Sequence, residues 1–193
     1  EFKSSGDILI GTQLIAKGHH IEDVSLVGVI GIDTTLNIPD FRSSERTFQL
    51  ITQVAGRSGR GKKVGDVIVQ TNQPDHYAIE FASQHDFDGF YKQELVYREQ
   101  LWYPPYCQIM NIMFSSTILP ALKRAVKMSE TYLTRQLSAH QDQVQLMPAQ
   151  PAPIELIQKN HRWHILVKCQ HQFSDQLRSI LQELPTVDRY IRR

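Results

Sequence analysis

Leu26-Val-Gly-Val-Ile-Gly-Ile32 is the stretch that decides the fold. It is continuously apolar, rich in Val and Ile, and interrupted only by Gly28 and Gly31. A strand with one wet face alternates polar and apolar residues, whereas an unbroken run marks a strand covered on both faces, and hence a parallel sheet. Asp33 follows directly, at the C-terminal edge where open α/β sheets place ligand-binding groups. It is therefore a candidate cofactor-binding residue.

Working outward, Asp7 to Gly11 reads as a second short buried strand, and Thr12 to Lys17 as a helical turn. Downstream, Ser44 to Ala55 places Phe48, Ile51, Val54 and Ala55 on one helical face, and Asp66 to Gln70 reads as another strand. Strand, helix and strand in this order predict a three-layer α/β domain over residues 1–74. Residues 75–105 read as a helical connector, with Asp75 capping one helix and Phe87, Phe90, Tyr91 and Leu95 marking a second. Trp102-Tyr103-Pro104-Pro105-Tyr106 ends that helix and reads as a packed junction. Residues 106–193 have their own rhythm. A strand spans Cys107 to Ser115, a long helix starts near Pro120, and short strands follow at Val144 to Met147 and Ile154 to Ile157. A turn over Lys159 to Arg162 leads into a strand from Trp163 to Cys169, then a helix capped by Ser174 and a last strand from Val187 to Ile191. That order is the split βαβ plan, which predicts a small α/β sandwich.

The totals suit this two-part organisation. The chain has 193 residues, 41% of them hydrophobic and 21% charged, enough for two small cores. A net charge of +1 means that any affinity for nucleic acid must come from local patches. Cys107 and Cys169 are too few for a disulfide framework or a four-cysteine zinc site, and two buried thiols in a reducing cytosol are the expectation. No apolar run reaches membrane-spanning length and no signal-peptide pattern opens the chain, so no membrane partner is expected. The chain opens on Glu1 without an initiator Met, so it is expected to be a piece of a longer protein.

The chemically distinctive stretch is Gln53-Val-Ala-Gly-Arg-Ser-Gly-Arg60. Two guanidiniums, Arg57 and Arg60, stand three residues apart beside Gly56 and Gly59. Arginine's permanent charge and planar fork of donors match phosphoryl oxygens, and glycine lets another surface approach closely. Gly56 to Lys63 nearly matches a phosphate-binding P-loop but fails it. Lys63 stands where a Ser or Thr must hold Mg²⁺, and the segment follows a helix rather than a strand. The arginines then read either as fingers reaching into a nucleotide site built elsewhere, a role worth roughly 10³ to 10⁵ in rate, or as charges on a glycine-rich surface loop.

These residues resemble known motifs. Gln53, Gly56, Arg57, Gly59 and Arg60 are spaced as in motif VI of superfamily 2 helicases, and Gly11-Thr12-Gln13 with Lys17-Gly18 resembles their motif V. Asp40-Phe-Arg-Ser-Ser-Glu-Arg46 and Trp102-Tyr-Pro-Pro105 narrow the resemblance to the primosomal protein N′ family of replication-restart helicases. The resemblance implies a partial RecA-like second helicase lobe followed by the family's C-terminal domain. It implies that Arg60 is the finger on the γ-phosphate, Arg57 assists, and Gln53 lies near the interlobe contacts. Thr12, Lys17 and Gly18 would touch the nucleic-acid backbone. Many relatives carry Asp where this chain has His20, which puts a ribose contact there in doubt. The family's P-loop, acidic Mg²⁺ motif and zinc-binding cysteines do not occur in this sequence, and the end at Arg193 falls short of the family's usual acidic tail. ATP and Mg²⁺ would be bound mainly by a first lobe, zinc would belong to the full-length family alone, and this chain by itself would not hydrolyse ATP.

In the terminal part, Lys159, His161, Arg162 and His164 flank Trp163. Cations neutralise phosphates while an indole stacks on unpaired bases. Alternation along Trp163, Ile165 and Val167 equally places the indole in the core, so both readings stand. His161, His164, Cys169 and His171 match no familiar metal spacing, and no metal site is assigned. The expected function is the C-terminal part of an ATP-dependent 3′-5′ DNA helicase acting at stalled or branched forks in the bacterial cytoplasm. Its partners would be single-stranded and forked DNA, primosome proteins and single-strand-binding proteins. The alternatives are a related superfamily 2 repair helicase or a non-catalytic DNA- or protein-binding module.

Overall fold

The computed structural model describes residues 8–12, 24–56 and 65–184, with the backbone of 190–192. The chain forms two compact units, Glu1–Val96 and Tyr97–Arg193.

The first unit is built on two parallel strands, β1 (Leu26–Val29) and β2 (Asp66–Val69), paired from Leu26 opposite Asp66 to Val29 opposite Val69. The apolar run that begins as β1 ends sooner than its composition suggests. Gly31 sits at φ +67°, a left-handed conformation that costs glycine little, and turns the chain so that Ile32 leads into the short helix α1 (Asp33–Leu36). Helix α2 (Ser43–Ala55) buries Ser43, Thr47, Phe48, Ile51 and Val54, the helical stripe its sequence spells out. Helices α3 (Tyr77–Ser83) and α4 (Phe87–Gln100) close the core, where Ala78, Ile79, Ala82 and Phe90 join Ile32, Leu36, Phe48 and Ile51. Phe48 and Phe90 stack at 4.2 Å, and the Tyr77 hydroxyl donates to the buried Glu94 carboxylate at 2.6 Å. Residues 75–96, read from sequence as connector, thus contribute core to the first unit. The cap of α3 is also not Asp75: His76 takes the position, its Nδ1 accepting from the Ala78 N–H at 3.2 Å.

Two further expectations change. Val29 and Val69 pack on the helical core, while Leu26 and Ile68 on the opposite face are 56% and 61% exposed. Among the described residues the parallel sheet is covered on one face only. Ile8 to Gly11 form no strand and are exposed. An extended segment holds strand geometry only when its N–H and C=O groups find a ladder, and no described strand offers one.

The ends of β1 and β2 are clasped by Asp33. Its carboxylate accepts from the Thr71 hydroxyl at 2.6 Å and from the Asn72 backbone N–H and side-chain amide, each at 2.9 Å. The Thr71 hydroxyl also accepts from the Gln73 N–H at 3.0 Å. These donors, Thr71 foremost, hold the Asp33 carboxyl below the usual carboxylate range.

The second unit follows the split βαβ plan. β3 (Gln108–Ser116), α5 (Leu119–Leu137), β4 (Val144–Leu146), β5 (Gln150–Ile157), β6 (Asn160–Cys169), α6 (Ser174–Gln182) and β7 (Tyr190–Arg192) succeed one another. The sheet order is β4-β6-β3-β7, and β5 also pairs with β6 beyond β4, all antiparallel. Helices α5 and α6 cover one face, where Leu122, Val126, Leu133 and Leu177 meet Ile112, Phe114, Ile165 and Val167. Ser174 does not cap α6 from outside, because a 3₁₀ turn at His171–Phe173 runs straight into the helix and Ser174 is its first residue. The turn expected at 159–162 is displaced too: Gln158 and Lys159 form it, and Asn160 to Arg162 belong to β6.

The Trp102–Pro105 segment packs within this second unit. Lys168, nearly buried, donates from Nζ to the Leu101 carbonyl at 2.8 Å and lies 3.8 Å from the centre of the Tyr103 ring. Cys107 Sγ donates to the Trp102 carbonyl at 3.1 Å, Arg98 Nη1 to Pro104 at 3.3 Å, and His171 Nε2 to Pro105 at 2.8 Å. Burial lowers the Lys168 pKa and raises those of the Cys107 and Cys169 thiols.

Two outcomes follow from these contacts. Both tryptophans, Trp102 and Trp163, lie in the second unit, so their fluorescence reports its unfolding. Lys168→Met keeps the aliphatic stem but removes one charged hydrogen bond and a close cation–π contact, and is expected to cost about 2 kcal/mol in urea unfolding. For Asp33, whose folded pKa is lowered, the clasp contributes fully above the ordinary carboxylate pKa and is lost as pH falls through the lower folded value. The Asn72 amide resonance should follow that titration, with a midpoint below the ordinary carboxylate range; a midpoint within or above that range would show that the clasp does not form.

Candidate nucleotide-sensing loop and nucleic-acid interface

Helix α2 ends at Ala55, directly before the arginine-rich stretch in the chain. Its N-terminal entry is braced by Asp40. One carboxylate oxygen accepts from the Arg42 N–H at 2.9 Å and from Nε at 3.1 Å; the other meets Arg42 Nη2 at 3.0 Å and Arg46 Nη2 at 3.1 Å. Ser43 Oγ donates to the Ile38 carbonyl at 2.6 Å. The Asp40-to-Arg46 sequence, quoted above only as a family resemblance, thereby acquires a physical role, because it aims the helix. At the other end, Val54 is buried, Gln53 and Gly56 are exposed, and the Gly56 N–H closes the last turn on Thr52 at 3.0 Å. Arg57 and Arg60 begin just past that point and lie outside the described residues, as do Lys17 and Gly18.

Of the remaining predicted residues in this unit, Thr12 is exposed in an irregular segment. Asp33 occupies the predicted edge of β1, with its oxygens already taken by Thr71 and Asn72. Those two partners escaped the sequence reading. Their signal was positional: in the parallel register they directly follow β2, as Asp33 follows β1.

In the second unit the strand geometry separates residues that the sequence places side by side. Lys159 is exposed at the β5–β6 turn. Arg162 is half-buried, its Nη1 donating to the Ile154 carbonyl at 3.4 Å. Trp163, next in the strand, projects to the other face of the sheet. There it packs against the helical core, opposite Phe114 on β3. Lys123 of α5 reaches to 5.7 Å from the centre of the indole ring, a cation that the sequence reading missed. The indole therefore belongs to the edge of the core, and Lys159 and Arg162 do not share its face as a single patch.

His164 is 6% exposed, and its Nδ1 is buried without a hydrogen-bond partner among the described residues. Burial first and Arg162 second lower its pKa. His164 and Cys169 sit at even and odd positions of β6 and face opposite sides of the sheet, so they cannot converge on one ion. Among the described residues no three His, Cys, Asp or Glu side chains gather as a metal site, and no helix is long and apolar enough to cross a membrane.

The comparisons agree with this division of the chain. Residues 99–193 match the family model described as the primosomal protein N C-terminal domain, starting two residues from the boundary of the second unit at Tyr97. The replication restart protein PriA of Bacillus subtilis is 40% identical over 183 residues, which cover 93% of this chain and 22% of that protein. PriA of Synechocystis is 39% identical over 86% of the chain and 20% of the relative, and PriA of Haemophilus influenzae is 33% identical over 94% and 24%. The chain thus spans about a fifth to a quarter of the length of these relatives. With its second unit matching the family's own C-terminal model and the similarity running back through the first, the chain belongs to the PriA family, as a C-terminal portion of it.

Proposed function

We propose that this chain is part of an ATP-dependent 3′-5′ DNA helicase that restarts replication at stalled or branched forks, and that the first unit supplies half of its nucleotide site. The observation carrying this reading is the placement of Gln53 and Gly56 at the exposed end of α2, immediately before Arg57 and Arg60, in a chain similar to PriA proteins along 93% of its length. A helix anchored by Phe48, Ile51 and Val54 fixes Gln53 and Gly56 in place, and a fixed position is what a phosphate-sensing group requires.

The residues present fit one side of such a site only. Asp33 is committed to Thr71 and Asn72, and the described residues include no acidic cluster for Mg²⁺. ATP and Mg²⁺ would be held mainly by a first lobe, with Arg60 offering its guanidinium fork to the γ-phosphate, Arg57 assisting, Gln53 near the interlobe contacts and Gly56 permitting close approach. The chemistry that ATP supplies is phosphoryl transfer to water; what these residues contribute is charge stabilisation in place. Thr12, Lys17 and Gly18 would touch the DNA backbone in the first unit, and Lys159, Arg162 and the rim of Trp163 in the second. Zinc would belong to other parts of the full-length protein. Primosome and single-strand-binding proteins would be its partners in the bacterial cytoplasm.

In the full-length protein, Arg60→Ala should abolish DNA-stimulated ATP hydrolysis and leave nucleotide binding nearly intact. Wild-type turnover in that variant would sink the finger assignment. Gly56→Ala sharpens the test. Among the described residues, a methyl group there meets only the Thr52 and Gln53 carbonyls at 3.6 and 3.7 Å, ordinary contact distances, so the fold and thermal midpoint should be preserved. Loss of hydrolysis in a folded Gly56→Ala protein would locate a close approach from outside this chain.

A further inference from the structure

The β5–β6 hairpin carries features that the core does not explain. Its turn residues, Gln158 and Lys159, sit at φ 49° and 66°. Two-residue hairpin turns of this kind favour Asn-Gly or Gly-Gly, because residues with a Cβ are strained at positive φ. Glycine would relieve that strain, and here it is replaced by a long amide and a long cation. Beside the turn, Ile154, Leu156 and Ile157 are 60%, 55% and 41% exposed. Leu156 and Ile157 are consecutive and leave the ribbon from opposite faces, so neither face of the tip is simply its solvent side. Lys159, His161 and Arg162 follow them in the hairpin, against one carboxylate, Glu155.

The ribbon's free edge is unsuited to receive another strand. Pro151 and Pro153 have no N–H to offer, and the register slips between Pro151 and Leu156, which interrupts the ladder on β5. Strand addition by a partner protein or a second copy therefore meets a broken edge. What remains is a sheet corner: β3 accompanies β6 as far as Ser116 opposite His161, so only Ile157 to Asn160 reaches past it, with exposed aliphatic side chains beside a cationic turn. Lysine at the apex of such a corner neutralises phosphate, and branched aliphatic side chains wedge between bases that are already poorly stacked. Opening a base step costs least at the end of a duplex, where stacking is lost on one side.

We infer that the β5–β6 hairpin is a wedge for the junction between double- and single-stranded DNA, with Leu156, Ile157 and Ile154 against the terminal base pair and Lys159 on a backbone phosphate. The inference rests on the DNA-binding reading above and gives it a specific target within the DNA.

The test uses the full 193-residue chain with a forked DNA carrying 2-aminopurine at the junction, and the same DNA with the probe in mid-duplex. Wild-type chain should raise the fluorescence at the junction and not in mid-duplex. Ile154→Ser with Leu156→Ser should remove that rise while the fork stays bound. Lys159→Glu should weaken binding about tenfold and reduce its salt dependence. All these side chains are exposed, and replacing Gln158-Lys159 by Asn-Gly relaxes the turn, so that variant should be at least as stable as wild type yet bind as weakly as a protein lacking the cation. Fork binding with an unchanged junction signal in the serine variant overturns the wedge and leaves the DNA reading intact. No binding to either DNA overturns both. A shift in oligomeric state of the serine variant during sedimentation would reassign the aliphatic patch to a protein interface and also overturn the wedge.

Discussion

Strand β6 is the constraint on which the second unit depends. It pairs along one side with β3 and along the other with β4 and then β5, so its peptide groups are satisfied by three neighbours. Once the strand is fixed, the two-residue period sorts its side chains without exception. Trp163, Ile165, Val167 and Cys169 go to the helical core, and Arg162, His164, Leu166 and Lys168 to the opposite face. A slip of one residue would place Arg162 and Lys168 in the core, a cost large enough to lock the register. The same sorting divides the chemistry. A cation and an indole adjacent in the chain face different surroundings, and Lys168 becomes the anchor of the Leu101–Tyr103 segment instead of a solvent charge.

The first unit solves a different problem, that of holding a short parallel pair together and aiming one helix. Two four-residue strands have little ladder to rely on. Asp33 adds a side-chain clasp at their C-terminal ends, and Asp40 braces the entry to α2 through two arginines. The helix then carries its fixed axis to Gly56. The exposed Leu26 and Ile68 leave the other face of the sheet uncovered among the described residues.

Much of this was legible in sequence because it rests on local periodicity. The stripe on α2, the run on β6 and the strand-helix order of the second unit are spelled by residues three, four or two positions apart, and each appears as an element. Boundaries fared less well where a competing local conformation intervened. Gly31 cut β1 short, the 3₁₀ turn absorbed Ser174, and the turn expected over Lys159 to Arg162 moved to Gln158-Lys159. The stretch from Gln53 to Arg60 was legible as a motif, of which the structure describes Gln53 to Gly56 at the end of α2.

By itself, then, the sequence determined the α/β class of the chain and the apolar stripes that build its two cores. Chemical identity and short-range spacing are properties of the chain alone. Only the tertiary structure decided that Asp33 is spoken for by Thr71 and Asn72, that Lys123 reaches Trp163, and that Lys168 holds the Leu101 carbonyl. Each joins residues 38 or more positions apart, and no local pattern encodes which distant partner a register will bring within 4 or 6 Å. Those pairings arise when strands align and helices settle on them, and they decide which polar groups are left for function.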